Sequence, residues 1–326
     1  MAERASLLQS VQIGVESTSG TAVAANKRLL GTSIDLGISA NIRTFRPMGQ
    51  KFATLAALGK EWAEGDLSGQ LCYGDITYLL AGNQAYAAPT QQAATAAYKW
   101  TLTPAQAAAD TLKTFTIEAG GAVRAHKAAF GMVDNLGYTI NREEATIKGS
   151  VMGRALSDGI TMTSSPTDIA LNPVLATQVD VTMDGAGAGL GTTKLTRVLR
   201  VDWESGKRFN PVWAVDSAQT SWVNYVEVEP TPKFKLLLEA DAAGMALLTS
   251  MRAGTKQFFR VKATGDLIAS TYYYVFQHDL CGVVSDVAKF SDEDGVYAIE
   301  WTFDVTYDST WGKAQEFQVT NTLTAL

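Results

Sequence analysis

The chain repeats itself, and that repetition restricts its fold more than any other feature. Val11-Gln12-Ile13 opens a stretch that reaches Lys27 and then Ile34-Asp35-Leu36. Val179-Asp180-Val181 opens another that reaches Lys194 and then Val201-Asp202-Trp203 at nearly the same spacing. Lys113-Thr114-Phe115-Thr116-Ile117 is echoed by Lys256-Gln257-Phe258-Phe259-Arg260-Val261. His126 stands shortly before Gly131-Met132-Val133, and His278 shortly before Gly282-Val283-Val284. An acidic turn follows in each copy, Asn141-Arg142-Glu143-Glu144 and Ser291-Asp292-Glu293-Asp294-Gly295, and then a run that reads as a strand. The shared order and spacing imply an internal duplication, hence two like domains in one chain. Two like domains invite pseudo-symmetric assembly.

Within each copy the dominant pattern is alternation. From Tyr297 to Asp308, Ile299, Trp301, Phe303, Val305 and Tyr307 point one way, while Glu300, Thr302, Asp304, Thr306 and Asp308 point the other. That is a half-buried antiparallel strand. Helix signals are few and fall at matching places. One helix is expected from Asp75 to a stop at Gly82, the other from Asp241 to a stop at Gly254, each with its Asp as cap. The expected fold is therefore mainly β: two tandem β-sandwich domains, residues 1–161 and 179–326, each with one short flanking helix and a long loop or arm. Residues 162–178, rich in Ser, Thr and Pro, read as the linker. The long irregular stretches are 37–65 and 204–224. They carry Pro47, Phe52 and Trp62, and Pro211, Trp213 and Trp222, so they read as arms that pack on a partner.

A length of 326 residues is enough for two domains with separate cores. The net charge of −6 argues against tight nucleic-acid binding, which relies on Lys and Arg. The opening Met1-Ala2-Glu3-Arg4-Ala5 lacks the apolar run of a secretory signal, and no stretch approaches a membrane span. Cys72 and Cys281 read as buried thiols.

Little points to chemistry. The two histidines match each other across the repeat, whereas a catalytic His would be unique to one copy. No His, Cys, Asp and Glu cluster has ligand spacing, and Asp292-Glu293-Asp294 lacks the pattern of a calcium loop. The glycine run from Gly185 to Gly191 is followed by Thr192-Thr193-Lys194, not by Gly-Lys-Ser/Thr, and no strong helix pattern follows it. No enzyme activity and no cofactor are expected.

One segment goes further. Val11-Gln12-Ile13-Gly14-Val15-Glu16-Ser17-Thr18-Ser19-Gly20-Thr21-Ala22-Val23-Ala24-Ala25 resembles the opening of the tail tube (major tail) proteins of long-tailed, non-contractile bacteriophages. Gly59-Lys60-Glu61-Trp62-Ala63-Glu64-Gly65-Asp66-Leu67-Ser68-Gly69, Tyr73-Gly74-Asp75-Ile76-Thr77-Tyr78-Leu79-Leu80, and Tyr98-Lys99-Trp100-Thr101-Leu102-Thr103-Pro104 resemble later blocks of that family. The resemblance covers mainly residues 11–155. It implies tail-tube-like domains that form rings whose inner sheets join into a barrel, with rings stacked into a tube that conducts DNA into the host.

Six domains to a ring then means three of these chains with pseudo-sixfold symmetry, with a hexamer as the alternative. The implied partners are further copies of the chain, the tail terminator, distal tail and tape-measure proteins, and DNA in transit without specific binding; no membrane is involved. The implied location is the virion tail, assembled in the host cytoplasm. The arm residues above become candidate contacts between rings or subunits. Glu143, Glu144, Asp292, Glu293 and Asp294 become candidate acidic residues of the lumen. A competing reading is a two-domain β-sandwich adhesin or carbohydrate-binding module, whose exposed aromatics would form a ligand platform.

Overall fold

The computed structural model describes residues 8–293 and 295–326. Strands hold 53% of the chain and helices 8%, so the protein is mainly β, as the alternating patterns require. The first half contributes β1 (Ser10–Val15), β2 (Lys27–Leu29), β3 (Thr32–Phe45), β4 (Leu55–Gln70), α1 (Asp75–Asn83), β5 (Thr90–Gln91), β6 (Tyr98–Leu102), β7 (Phe115–Gly120), β8 (Ala125–Asn141), β9 (Ala145–Gly153), β10 (Leu156–Ile160) and β11 (Thr167–Asp168). The second contributes β12 (Val179–Asp184), β13 (Val198–Glu204), β14 (Phe209–Val212), β15 (Asn224–Glu227), β16 (Lys233–Glu239), α2 (Ala242–Ala253), β17 (Gln257–Ala269), β18 (Tyr272–Val287), β19 (Ser291–Glu293), β20 (Val296–Val305) and β21 (Gln315–Asn321).

The halves share one strand order. In the first, β1 pairs β7 and β7 pairs the start of β8, while β3, β4, β9 and the end of β8 form a second group. In the second, β12 pairs β17 and β17 pairs the start of β18, while β13, β16, β20 and the end of β18 form the matching group. The long strands β8 and β18 each pass from one group to the other. Gly131 and Gly282 stand where they do so; a Cβ at Gly131 would lie 2.8 Å from the Phe115 carbonyl oxygen, and one at Gly282 3.0 Å from the Phe303 Cβ. Each long strand then carries a bulge, between Val133 and Asn135 and between Val284 and Asp286. Such a bulge bends the strand.

The two groups do not stand apart. The end of β8 pairs antiparallel with β13, placing Tyr138 opposite Trp203 and Ile140 opposite Val201. The order β3–β4–β9–β8–β13–β16–β20–β18 is thus one run of eight strands, four from each half. The cores are not separate as expected, because this pairing brings large side chains from both halves together. Tyr138 stacks on Trp203 at 5.7 Å, and Trp203 meets Phe317 at 4.9 Å. One continuous cluster of buried residues runs through both halves. Full burial of each large side chain is worth roughly 1.5–3 kcal/mol.

Two further segments tie the halves. β6 of the first half pairs with β21 of the second, and the Trp100 Nε1 donates to Asn321 Oδ1 at 3.1 Å. Residues 162–178 are not a free linker, since β11 pairs with β2 and Ile169 and Val174 are buried.

The helices follow the expected caps in part. Asp241 caps α2, accepting from Gly244 N at 2.8 Å, and Gly254 ends it in the left-handed region at φ 60°. Asp75 does not cap α1. Gly74 is the cap residue, and the helix runs past Gly82 to Asn83. The Asp75 carboxylate turns to the strand edge instead, accepting from Gly31 N at 2.9 Å and Thr32 Oγ1 at 3.0 Å. Burial pushes its pKa up.

The histidines are not counterparts. Ile117 opposes Ala128 in the first half, and the matching Val261 opposes His278 in the second, so His278 corresponds to Ala128. His126 is partly exposed beside Asp158, with Nε2 3.0 Å from the carboxylate. His278 is fully buried, stacked 3.9 Å from Phe317, with Nδ1 2.8 Å from the Tyr138 hydroxyl.

Burial pushes the His278 imidazole from its ordinary 6.5 down to about 3. Below pH 6.5 the unfolded chain takes up a proton that the folded chain refuses, so stability falls with pH until about 3. Relative to His278→Phe, the wild-type protein is expected to lose on the order of 1 kcal/mol per pH unit across that window. Denaturant titrations at pH 7 and pH 4.5 check it; equal losses for both proteins would refute it.

Candidate functional site

Pairing β8 with β13 uses one edge from each half and leaves one edge on each. In the first half the free edge is β3, whose only strand partner among the described residues is β4. In the second it is the end of β18, beyond which β19 continues along β20. An exposed edge presents unpaired N–H and C=O groups and is a template for another chain.

Beyond the body of the sheet, β3 and β4 continue as a two-stranded arm. Ile38, Ala40 and Ile42 lie on one side of it, with Ala56, Leu58, Glu61 and Ala63 across the register, while Ser39, Asn41, Arg43 and Phe45 take the other with Leu55 and Lys60. Ile38, Ile42 and Leu58 are 57%, 64% and 46% exposed. Phe52 at 80% and Met48 at 100% exposure stand at the tip, beside the exposed Pro47. An isolated hairpin is marginal in water, so an apolar ribbon of this length calls for a covering surface.

The second long stretch behaves differently. It forms the β14–β15 hairpin, in which Pro211 pairs with Tyr225, and it lies on the first half of its own chain. Trp222 is 1% exposed, 4.4 Å from Phe130, and donates from Nε1 to the Gly153 carbonyl at 2.8 Å. Arg154 binds the Trp222 carbonyl from Nε at 3.0 Å, with its guanidinium 5.7 Å from the Trp222 ring. Trp213 is half-buried, meeting Trp62 edge-on at 5.9 Å and Lys60 Nζ at 4.4 Å. Trp222 is therefore an anchor between halves, closed to any other subunit, and Trp62 and Trp213 form a smaller contact at the root of the arm. Below this hairpin, Arg208 donates to Asp110 at 2.8 Å, both side chains only 5% exposed.

The acidic turns lie at strand ends. Glu143 and Glu144 are exposed on the β8–β9 turn, whose chain is held by Asn141 Oδ1 accepting from both their N–H groups at 2.8 Å. Asp292 and Glu293 are exposed on β19, and Asp294 lies outside the described residues.

Carboxylates gather elsewhere as well. The polar face of the eight-strand run carries Asp35, Glu64, Asp66, Asp202, Glu204, Glu239, Asp286, Glu300 and Asp304, against Lys148, Arg200, Lys233 and Lys235, with Arg43 and Lys60 where it continues along the arm. Nine acidic against six basic side chains give this face a net negative charge. Near the joint, Arg200 donates to Asp202 at 2.7 Å and also pairs with Glu300, which Lys235 meets at 3.3 Å. The signal was present in the alternation, where Glu300 and Asp304 point away from Trp301 and Phe303. What was lacking was the knowledge that the polar sides of both halves join into one surface.

Among the described residues, no group of three or more His, Cys, Asp and Glu is placed to hold a metal ion. Among the described residues no helix is long and apolar enough to cross a membrane. Comparison of the sequence with protein-family models and with curated proteins finds no match.

The division between buried anchor and free arm is testable by stability. Trp222→Ala should destabilise the isolated chain by about 3–5 kcal/mol through the cavity it leaves. Asp110→Ala should do the same by about 3–5 kcal/mol, by leaving Arg208 charged and unpaired. Phe52→Ala should change stability by less than about 0.5 kcal/mol. Chemical denaturation of the three variants decides it; a large loss for Phe52→Ala would mean the tip packs on its own chain.

Proposed function

We propose that this chain is a structural virion protein that polymerises as stacked rings into the tail tube of a long-tailed bacteriophage. One observation carries the reading: the two halves, alike in strand order, already join edge to edge through β8 and β13. Repeating that joint between chains would set the β18 edge of one chain against β3 of the next, a head-to-tail contact that closes if the rotation allows. Three chains supply six like halves, and closure would remove both free edges.

The other surfaces suit the same reading. The apolar arm, 37–65, would cover part of the neighbouring chain or ring. The polar face of the eight-strand run would line the channel. A net negative wall repels phosphate, so DNA would slide without lodging, whereas weak attraction would accumulate over many rings. The tube would meet the tail terminator, distal tail and tape-measure proteins at its ends and in its lumen. An adhesin or sugar-binding reading finds less support, because Trp100, Trp203, Trp222 and Trp301 are buried and cannot offer a stacking platform.

Sedimentation and negative-stain microscopy test this. The wild-type protein should form rings of three chains or hollow tubes as concentration rises. Ile42→Asp combined with Leu58→Asp should fold with near-unchanged stability, since both sites are exposed, yet fail to extend into tubes. Wild-type protein that stays monomeric at millimolar concentration would sink the proposal.

A further inference from the structure

The joint between the halves contains more than a strand pairing. The turn between β8 and β9 closes one end of a cleft of about 730 Å³ in the second half. That cleft is lined by Val179, Lys194, Leu195, Arg200 and Leu237, and by Ile140, Asn141, Arg142 and Glu143 of the visiting turn. The first half has a cleft of about 760 Å³ lined by Val11, Arg28, Ser33 and Ser68.

The walls that β1, β2, β3 and β4 give the first cleft match those that β12, residues 194–196, β13 and β16 give the second. Ile13 opposes Ile117 as Val181 opposes Val261, which matches Val11 to Val179. Ile34 opposes Leu67 as Val201 opposes Leu236, which matches Ser33 to Arg200 and Ser68 to Leu237. The clefts differ at their ends: the first takes in Arg124, Ala125 and His126 at the β7–β8 turn, and the second takes in Glu293 and Val296 beside the visiting turn. All the lining of the first-half cleft comes from the first half, so it holds no visiting turn.

The counterpart of the visiting turn is the one that follows β19. Thr139 opposes Thr146 as Ser291 opposes Ala298, so Glu293 corresponds to Asn141. Asp292 and Glu293 are exposed. We infer that the β19 turn of one chain seats in the first-half cleft of a second copy, beside the free edge of β3. This rests on the ring-forming reading above and names the segment that docks in it.

The charges are compatible with that occupant. The first-half cleft is lined by Arg28, Arg124 and His126, where the second-half cleft has Thr196 in place of Arg28, and by one carboxylate, Asp35. Arg28 meets Asp168 at 2.7 Å, and Arg124 pairs with Asp158. These side chains are substantially exposed, so the incoming Asp292 and Glu293 would share cations that already hold one carboxylate each. The acidic turn on this view lies in a subunit joint and not in the channel.

Cysteine cross-linking tests the seating. Across the internal joint Arg200 opposes Asn141 and Asp202 opposes Thr139. The corresponding pairs between chains are Ser33 with Glu293 and Asp35 with Ser291, all four exposed. The native thiols Cys72 and Cys281 are buried and should stay silent. Ser33→Cys with Glu293→Cys, under mild oxidation or a short bis-maleimide, should convert most assembled protein to covalent dimers and trimers on denaturing gels. Each single variant should remain monomeric there, and a mixture of the two singles should stop at dimers. Asp35→Cys with Ser291→Cys provides a second pair should the first disturb the fold. Rings or tubes seen by microscopy without cross-linking in either pair would overturn the docking alone. Absence of any assembly would overturn the ring reading and this inference with it.

Discussion

Everything else in this protein depends on the backbone pairing of residues 137–141 with residues 200–204. A strand edge in water carries a row of unpaired donors and acceptors, and a protein must cover it, blunt it or use it. Here the first half spends one edge on the second, and the core follows. Tyr138 and Trp203 meet because their strands are register partners, and His278 and Phe317 pack around them. The edges that remain are treated unequally. β3 is long and carries neither Pro nor Lys along residues 32–45. The β18 edge is interrupted between Val287 and Ser291, where no strand pairing is made.

The sequence made the repeat legible because each strand alternates against its own core. Val11 and Val179, and Ile34 and Val201, are matched by the pairings as they are by spacing. α2 was legible from both its ends, since Asp241 and Gly254 act through local backbone geometry. α1 was not, because Asp75 is bonded to Gly31 and Thr32, more than forty residues away in the chain. The histidine match failed for a similar reason. A bulge between Phe115 and Ile117 shifts the register of β7 against β8, and no pattern in the sequence marks it.

The candidate surfaces were legible in composition but not in place. Two aromatic-rich stretches looked alike as arms, yet only 37–65 projects as a ribbon. The other packs on Phe130, Met132 and Met152 of its own first half and buries Trp222 there. Which arm is free is decided by which edge is already paired, and that is a tertiary fact. The acidic turns stood out as runs, whereas the carboxylates of the sheet face are spread, one or two to a strand, over six strands. A run of charge is easy to see along a chain; a charged face appears only when strands are laid side by side.

Joining like halves head to tail has a geometric consequence. Such a contact closes into a ring only when its rotation divides the circle, and otherwise winds into a filament. The internal joint is braced against rotation by three ties beyond its strand pairing: β6 on β21, Trp222 against Phe130, and Asp110 with Arg208. A joint between chains would lack the first of these. β6 arises from the long connection between α1 and β7, and the corresponding connection, between α2 and β17, is only residues 254–256. A ring of three such chains would then alternate braced joints with less braced ones. The bracing would hold the angle between the halves before assembly begins, so that half of the joints in the ring arrive already set and only the other half must form by collision.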